Sequence, residues 1–83
     1  MNKVIIEINV PAANEKFDVF VPKTSKIYEV IELVSEMFSS ILEGKYKKTP
    51  DAVLCDAVSG KVLDINKSVY ELNIINGSKL ILI

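Results

Sequence analysis

The segment KVLDINKSVYELNIINGSKLILI, residues 61–83, decides how the chain is read. Lys61 to Leu63 follows the turn signal Ser59-Gly60, Asp64 to Asn66 is polar linker, and Val69 to Leu72 has the make-up of a single helical turn. Asn76-Gly77 is a strong turn signal because both residues tolerate positive φ, and Ser78 to Ile83 then reads as a strand. Two strands with a helical turn between them are expected at this end of the chain.

Upstream, Val4, Ile6, Ile8 and Val10 alternate with Ile5, Glu7 and Asn9, the period-two pattern of a half-buried strand. Phe17, Val19 and Val21 alternate with Asp18 and Phe20 after the polar loop Pro11 to Lys16, so the two runs read as a β-hairpin. Pro22 ends the second strand, and Thr24-Ser25 offers side-chain oxygens to cap a helix. Ile27, Val30, Ile31, Val34, Met37, Phe38, Ile41 and Leu42 recur at three- and four-residue spacing, which predicts one buried stripe on a helix of about four turns. Glu29, Glu32, Ser35, Glu36 and Ser39 take the opposite face, Leu33 lies at the border, and Gly44 suits the helix C-terminus. Ala52 to Cys55 is a short apolar run, paired with Lys61 to Leu63 as a second hairpin. The expected architecture is α+β, a mixed five-stranded sheet packed on one helix, in a single domain over residues 1–83.

Composition narrows the functions. The chain is 49% hydrophobic and 25% charged, as expected of a folded domain and too apolar for a disordered one. Ten Lys and Arg against eleven Asp and Glu leave a net charge of −1, which argues against general nucleic-acid binding because neutralising phosphates needs a basic excess. The apolar runs Val4 to Ile6 and Leu80 to Ile83 are far shorter than the ~20 residues a membrane helix needs, and no signal-peptide core opens the chain. A cytoplasmic location is expected, and the single Cys55 fits a reducing compartment. With no His, no paired cysteines, no G-x-S-x-G and no Gly-rich phosphate loop, no catalytic motif is present, and Asp51, Asp56 and Asp64 are too scattered for a metal loop. Neither enzyme activity nor a cofactor is expected.

The element order and the spacing Leu63, Val69, Leu72, Ile74, Gly77, Leu80, Leu82 resemble the β-grasp fold of ubiquitin. Val69-Tyr-Glu-Leu-Asn-Ile74 is similar to the buried turn that ubiquitin places before its final strand. Among ubiquitin-like families the chain most resembles the YukD/EsaB group, small bacterial accessory proteins of type VII secretion, in length, in the Gly-containing turn before the fourth strand and in its apolar last strand. The resemblance implies a non-enzymatic protein-interaction module that is an accessory or regulatory component of such a system. It also implies possible placement at the inner face of the membrane through a partner. The alternatives are a generic ubiquitin-like adaptor, including a homodimer through the sheet, and a diverged sulphur or protein-modifier carrier. The carrier class needs a flexible Gly-Gly tail to enter an activating enzyme, whereas this sequence has no Gly-Gly and ends in the strand Lys79 to Ile83.

Pairing Val4 with Val21, Ile6 with Val19 and Ile8 with Phe17 leaves Ile5 opposite Phe20 on the face turned away from the helix. With Leu80 and Leu82 inward, Ile81 and Ile83 point outward, and Leu54 joins them if Val53 and Cys55 point inward. In the β-grasp order, which sets the first and last strands side by side, Ile5, Phe20, Leu54, Ile81 and Ile83 are expected to form one continuous apolar patch for a protein partner. Ubiquitin-like domains use this same face for partners. The loop Lys45-Tyr46-Lys47-Lys48 is the only cluster of charge, and Lys45, Lys47 and Lys48 allow at most a weak contact with an anionic membrane. A solvated loop is the simpler reading, as a small core residue is for Cys55.

Overall fold

The computed structural model describes residues 2–83. β1 (Lys3–Val10) and β2 (Glu15–Pro22) are joined by a 3-10 turn over Pro11–Ala13, followed by α1 (Ile27–Ile41), β3 (Leu54–Asp56) and β4 (Lys79–Leu82). The sheet order is β2-β1-β4-β3; β1 and β4 run parallel, and the two outer pairs are antiparallel.

The hairpin follows the alternation in the sequence. Val4, Ile6, Ile8 and Val10 are buried, and the register pairs Val4 with Val21, Ile6 with Val19, Ile8 with Phe17 and Ile5 with Phe20. Buried β1 residues meet Val30, Val34 and Phe38 of α1, and Phe38 stacks on Phe17 with ring centroids 4.7 Å apart. One helix stripe and one sheet face therefore bury each other.

Among the described residues the sheet has four strands where five were expected. Lys61 to Leu63 makes only an isolated bridge between Val62 and Cys55, supported by Asp56 N–H to the Lys61 carbonyl and Leu63 N–H to the Leu54 carbonyl, each at 2.9 Å. β3 is three residues long, and beyond Leu63 the chain turns away at Asp64, whose carboxylate accepts the Asn66 N–H. A partner strand has too little to pair with.

The helix is rotated from the expected stripe. Ile27, Val30, Val34, Phe38 and Leu42 are buried, but Met37 and Ile41 are exposed, and Ser35, expected outside, is buried with its hydroxyl donating to the Glu32 carbonyl. The crossover after α1 causes this, because Tyr46 enters the core and Ala52 packs beside Ile31 on the Ser35 flank. Leu33, Met37 and Ile41 are left on the opposite flank at four-residue spacing. The cap also differs from Thr24-Ser25: Lys26 is the N-cap, and its N–H donates to the Glu29 carboxylate at 2.9 Å.

The turn before β4 is held by reciprocal capping. Ser68 N–H donates to Glu71 Oε1 at 2.9 Å, and Glu71 N–H donates to Ser68 Oγ at 3.1 Å, the two-way arrangement of a capping box. Val69 and Ile74 are buried at its base. Gly77 then takes φ 87°, a left-handed conformation that glycine adopts without a Cβ penalty.

Leu54 is fully buried, while Ile83 is 60% exposed. Leu54→Ala is expected to lower the unfolding free energy by about 2–5 kcal/mol, and Ile83→Ala by less than about 1 kcal/mol. Denaturant titration of both variants checks the order; a larger loss at Ile83 would reverse the assignment of faces.

Candidate functional site

The face of the sheet turned from α1 is built in rows, because residues paired across neighbouring strands share a face. Phe20 and Ile5 form the first row, which ends at the turn before β4, where Gly77 N–H donates to the Ile5 carbonyl. The second row is Asp18, Glu7 and Lys79, extended to Ala57. The third is Lys16, Asn9, Ile81 and Cys55, with Val62 bridged to Cys55. The fourth holds Ile83 and Val53, which exchange both backbone hydrogen bonds at 2.9 and 2.8 Å.

The expected continuous patch is therefore divided. The Ile5 row and the Ile81 row, which crosses β1 at Asn9, are four residues apart along β1, about 13 Å at strand rise, and the row between them is charged. Phe20 (64% exposed) and half-buried Ile5 form one small cluster. Half-buried Ile81 and Val53, with Ile83 and Val62 (61% exposed), form another around Cys55.

Leu54 belongs to neither cluster. Its partner is Leu82 and that of Cys55 is Ile81, so Leu54 faces the core with Leu82 and Cys55 lies on the outer side. The run Ala52 to Cys55 is apolar at every position and carries no alternation to mark which residues face inward. A shift of one residue exchanges the faces. Val53, Cys55 and Val62 are the members that sequence reasoning missed, and once Ile81 is placed outward the antiparallel register supplies all of them. Cys55 is nevertheless only 6% exposed, which leaves its thiol as packing in the floor of the cluster.

The lysine loop is not a free cationic patch. Tyr46 is in the core, where burial pushes its phenol pKa up. Lys48 bridges from the loop to α1, its ammonium bonded to Glu32 and, at 2.8 Å, to Glu36. Those hydrogen bonds raise the Lys48 pKa to about 12 and lower that of Glu36. Lys45 and Lys47 are left exposed, too few to recruit an anionic surface strongly. Beside the Lys48 bridge runs a groove of about 520 Å³ lined by Tyr28, Ile31, Pro50 and Ile65, with Glu32 and Lys48 also on its lining. Among the described residues no cluster of His, Cys, Asp or Glu is arranged to hold a metal ion, and no helix is long and apolar enough to cross a membrane.

No family model matches the sequence, and no curated protein sequence does. Solved structures do match in fold. The ubiquitin-like domain of the Mycobacterium tuberculosis type VII secretion protein ECCD1 superposes with a TM-score of 0.78 at 16% identity, over 100% of this chain and 99% of that one. This chain has the ubiquitin-like fold. A chain of the ESX-5 inner membrane complex also matches this ubiquitin-like domain, with a TM-score of 0.72 at 16% identity; all of this chain aligns, over 21% of the larger one. A chain of a toluene 4-monooxygenase complex gives a TM-score of 0.81 at 9% identity, over 96% of this chain and 95% of that one. The same fold thus occurs in secretion and in oxygenase assemblies, and function must be argued from the surface.

Phe20→Ser is expected to change stability by no more than about 0.5–1 kcal/mol, since most of the ring already faces water; a loss of several kcal/mol in denaturant titration would place it in the core. Hydrogen bonds to Lys48 and Ser68 lower the pKa values of Glu36 and Glu71 below 4.5. A depressed folded-state pKa stabilises above the unfolded value and loses that effect as pH falls through the folded one, so melting temperature should drop below about pH 4.5. Lys48→Met should make that acid drop shallower, and an unchanged pH profile would dismiss the Lys48 bridge as a contributor.

Proposed function

We propose that this chain is a non-enzymatic ubiquitin-like protein-interaction module, an accessory or regulatory component of a bacterial type VII secretion system in the manner of the YukD/EsaB group. One observation carries the proposal: the cluster Ile81, Ile83, Val53 and Val62 presents apolar side chains on the outer sheet face next to the charged row Asp18, Glu7 and Lys79. An apolar centre with a polar border has the anatomy of a protein-contact site. Each of these side chains contributes ~1.5–3 kcal/mol when fully buried, enough in combination for a specific contact. The fold likeness to ECCD1 and to a chain of the ESX-5 inner membrane complex supports the choice of system. The domain then acts in the cytoplasm, reaching the inner face of the membrane through its partner.

Ile83 and Val53 exchange both backbone hydrogen bonds, which keeps Ile83 in the sheet as part of this contact surface.

The decisive test is genetic. Deleting the gene in its host should abolish or strongly reduce export of the small WXG-type substrates of the secretion system. The unaltered gene should restore export, and Ile81→Asp should fail to do so while the protein accumulates folded. Normal export without the gene would overturn the proposal.

A further inference from the structure

The two edges of the sheet are finished differently. On the β3 side, the segment around Val62 bridges to Cys55 and accepts or donates backbone bonds at Asp56 and Leu54. On the other side, β2 is eight residues long and no described segment pairs with its outer edge. The backbone bonds of β1 set the parity of that edge. Glu7 N–H and the Ile5 carbonyl bond toward β4, so the odd residues of β1 point that way and the even residues point to β2. Glu15, Phe17, Val19 and Val21 therefore bond to β1, and the N–H and carbonyl groups of Lys16, Asp18 and Phe20 project from the open edge. Among the described residues no backbone or side-chain partner is found for any of these six groups. A row of unpaired strand groups is a template for another strand.

The side chains along this edge select among partners. Phe17 points toward the core side and is only half-buried, and Leu33, Met37 and Ile41 lie on the flank of α1 away from the Pro50 groove, over the β2 side. On the outer side the edge carries Lys16 and Asp18, two residues apart with opposite charge. Only pairings that bring edge-pointing residues opposite one another can form bonds. For two antiparallel copies of β2, the central registers set Lys16 opposite Asp18, Asp18 opposite Asp18, or Asp18 opposite Phe20. The second is opposed by like charge and the third leaves both charges unmatched. The first forms the Lys16–Asp18 pair twice, by symmetry, and sets Phe17 against its counterpart on the core side.

We propose that two copies of this chain associate through their β2 edges in antiparallel register, with Lys16 of each opposite Asp18 of the other, continuing the sheet across the pair. The two-fold axis passes between the Phe17 residues, so their exposed portions cover each other, and Met37 and Ile41 of both copies roof the join from the helix side. Lys16 lies in the same row as Ile81, two strands away or about 10 Å at the usual strand spacing, so the join covers Lys16 and Asp18 but leaves Ile81, Ile83, Val53 and Val62 uncovered, and it is tested separately from the secretion role.

Sedimentation velocity over a wide concentration range, at low salt, tests the proposal. The wild type is expected to shift from monomer to dimer with concentration. Lys16→Asp and Asp18→Lys should each weaken the dimer about tenfold or more, because both symmetric pairs become repulsive, and the double exchange should restore affinity to within about threefold of wild type. Asp18→Pro, which removes an edge N–H not used by β1, should give a monomer with an unchanged fold, and Ile81→Asp should leave the dimer intact. A protein monomeric at every concentration would overturn the proposal. So would a dimer indifferent to the charge changes, a double exchange weaker than the single ones, or a dimer lost in Ile81→Asp.

Discussion

The structure depends on the parallel pairing of β1 with β4. Glu7 meets Lys79 and Ile8 meets Leu80, so residues from opposite ends of the chain lie side by side in the middle of the sheet. No local turn can join parallel neighbours, and everything between them must serve as crossover. The helix, the Tyr46 loop, β3 and the Ser68–Glu71 turn are that crossover. Each contributes a buried side chain to the space it encloses: Phe38, Tyr46, Leu54 and Val69. Because the central pair closes last in sequence, folding requires long-range contacts before most of the core is rewarded.

The same pairing determines what the outer face can offer. Placing Lys79 beside Glu7 draws a charged row across the sheet and separates Phe20 and Ile5 from Ile81 and Ile83. A partner therefore meets two apolar spots of different shape. The spot around Ile81 is the better anchor, since Cys55 fills its floor and Val53 and Val62 surround it. Lys48 acts elsewhere, tying the crossover to α1 through Glu32 and Glu36 and removing one charge from the loop that would otherwise look most suited to anions.

The parts legible in the sequence are those whose pattern has one physical reading. Alternation in β1 and β2 admits a single inward set, and the hairpin register followed from it down to Ile5 opposite Phe20. The order of elements was readable except at Lys61 to Leu63, where the turn signal Ser59-Gly60 marked a hairpin but the segment makes only an isolated bridge to β3. Leu54 was misplaced because Ala52 to Cys55 is uniformly apolar, so only the pairing with β4 decides its face. Met37 and Ile41 were misplaced because the apolar arc of α1 is wider than the sheet can cover, and the Tyr46 loop chose which flank to bury. The break in the patch needed the β1–β4 offset, which no short-range signal encodes.

β4 and the residue after it divide their side chains, Leu80 and Leu82 to the core with Leu54, and Ile81 and Ile83 to a surface shared with Val62. Methyl NMR with a soluble paramagnetic agent measures this directly. Signals of Ile83 and Val62 should be strongly attenuated and that of Ile81 partly, while those of Leu54, Leu80 and Leu82 should persist. Attenuated Leu54 methyls together with protected Ile81 and Ile83 would contradict the register on which the proposed contact surface rests.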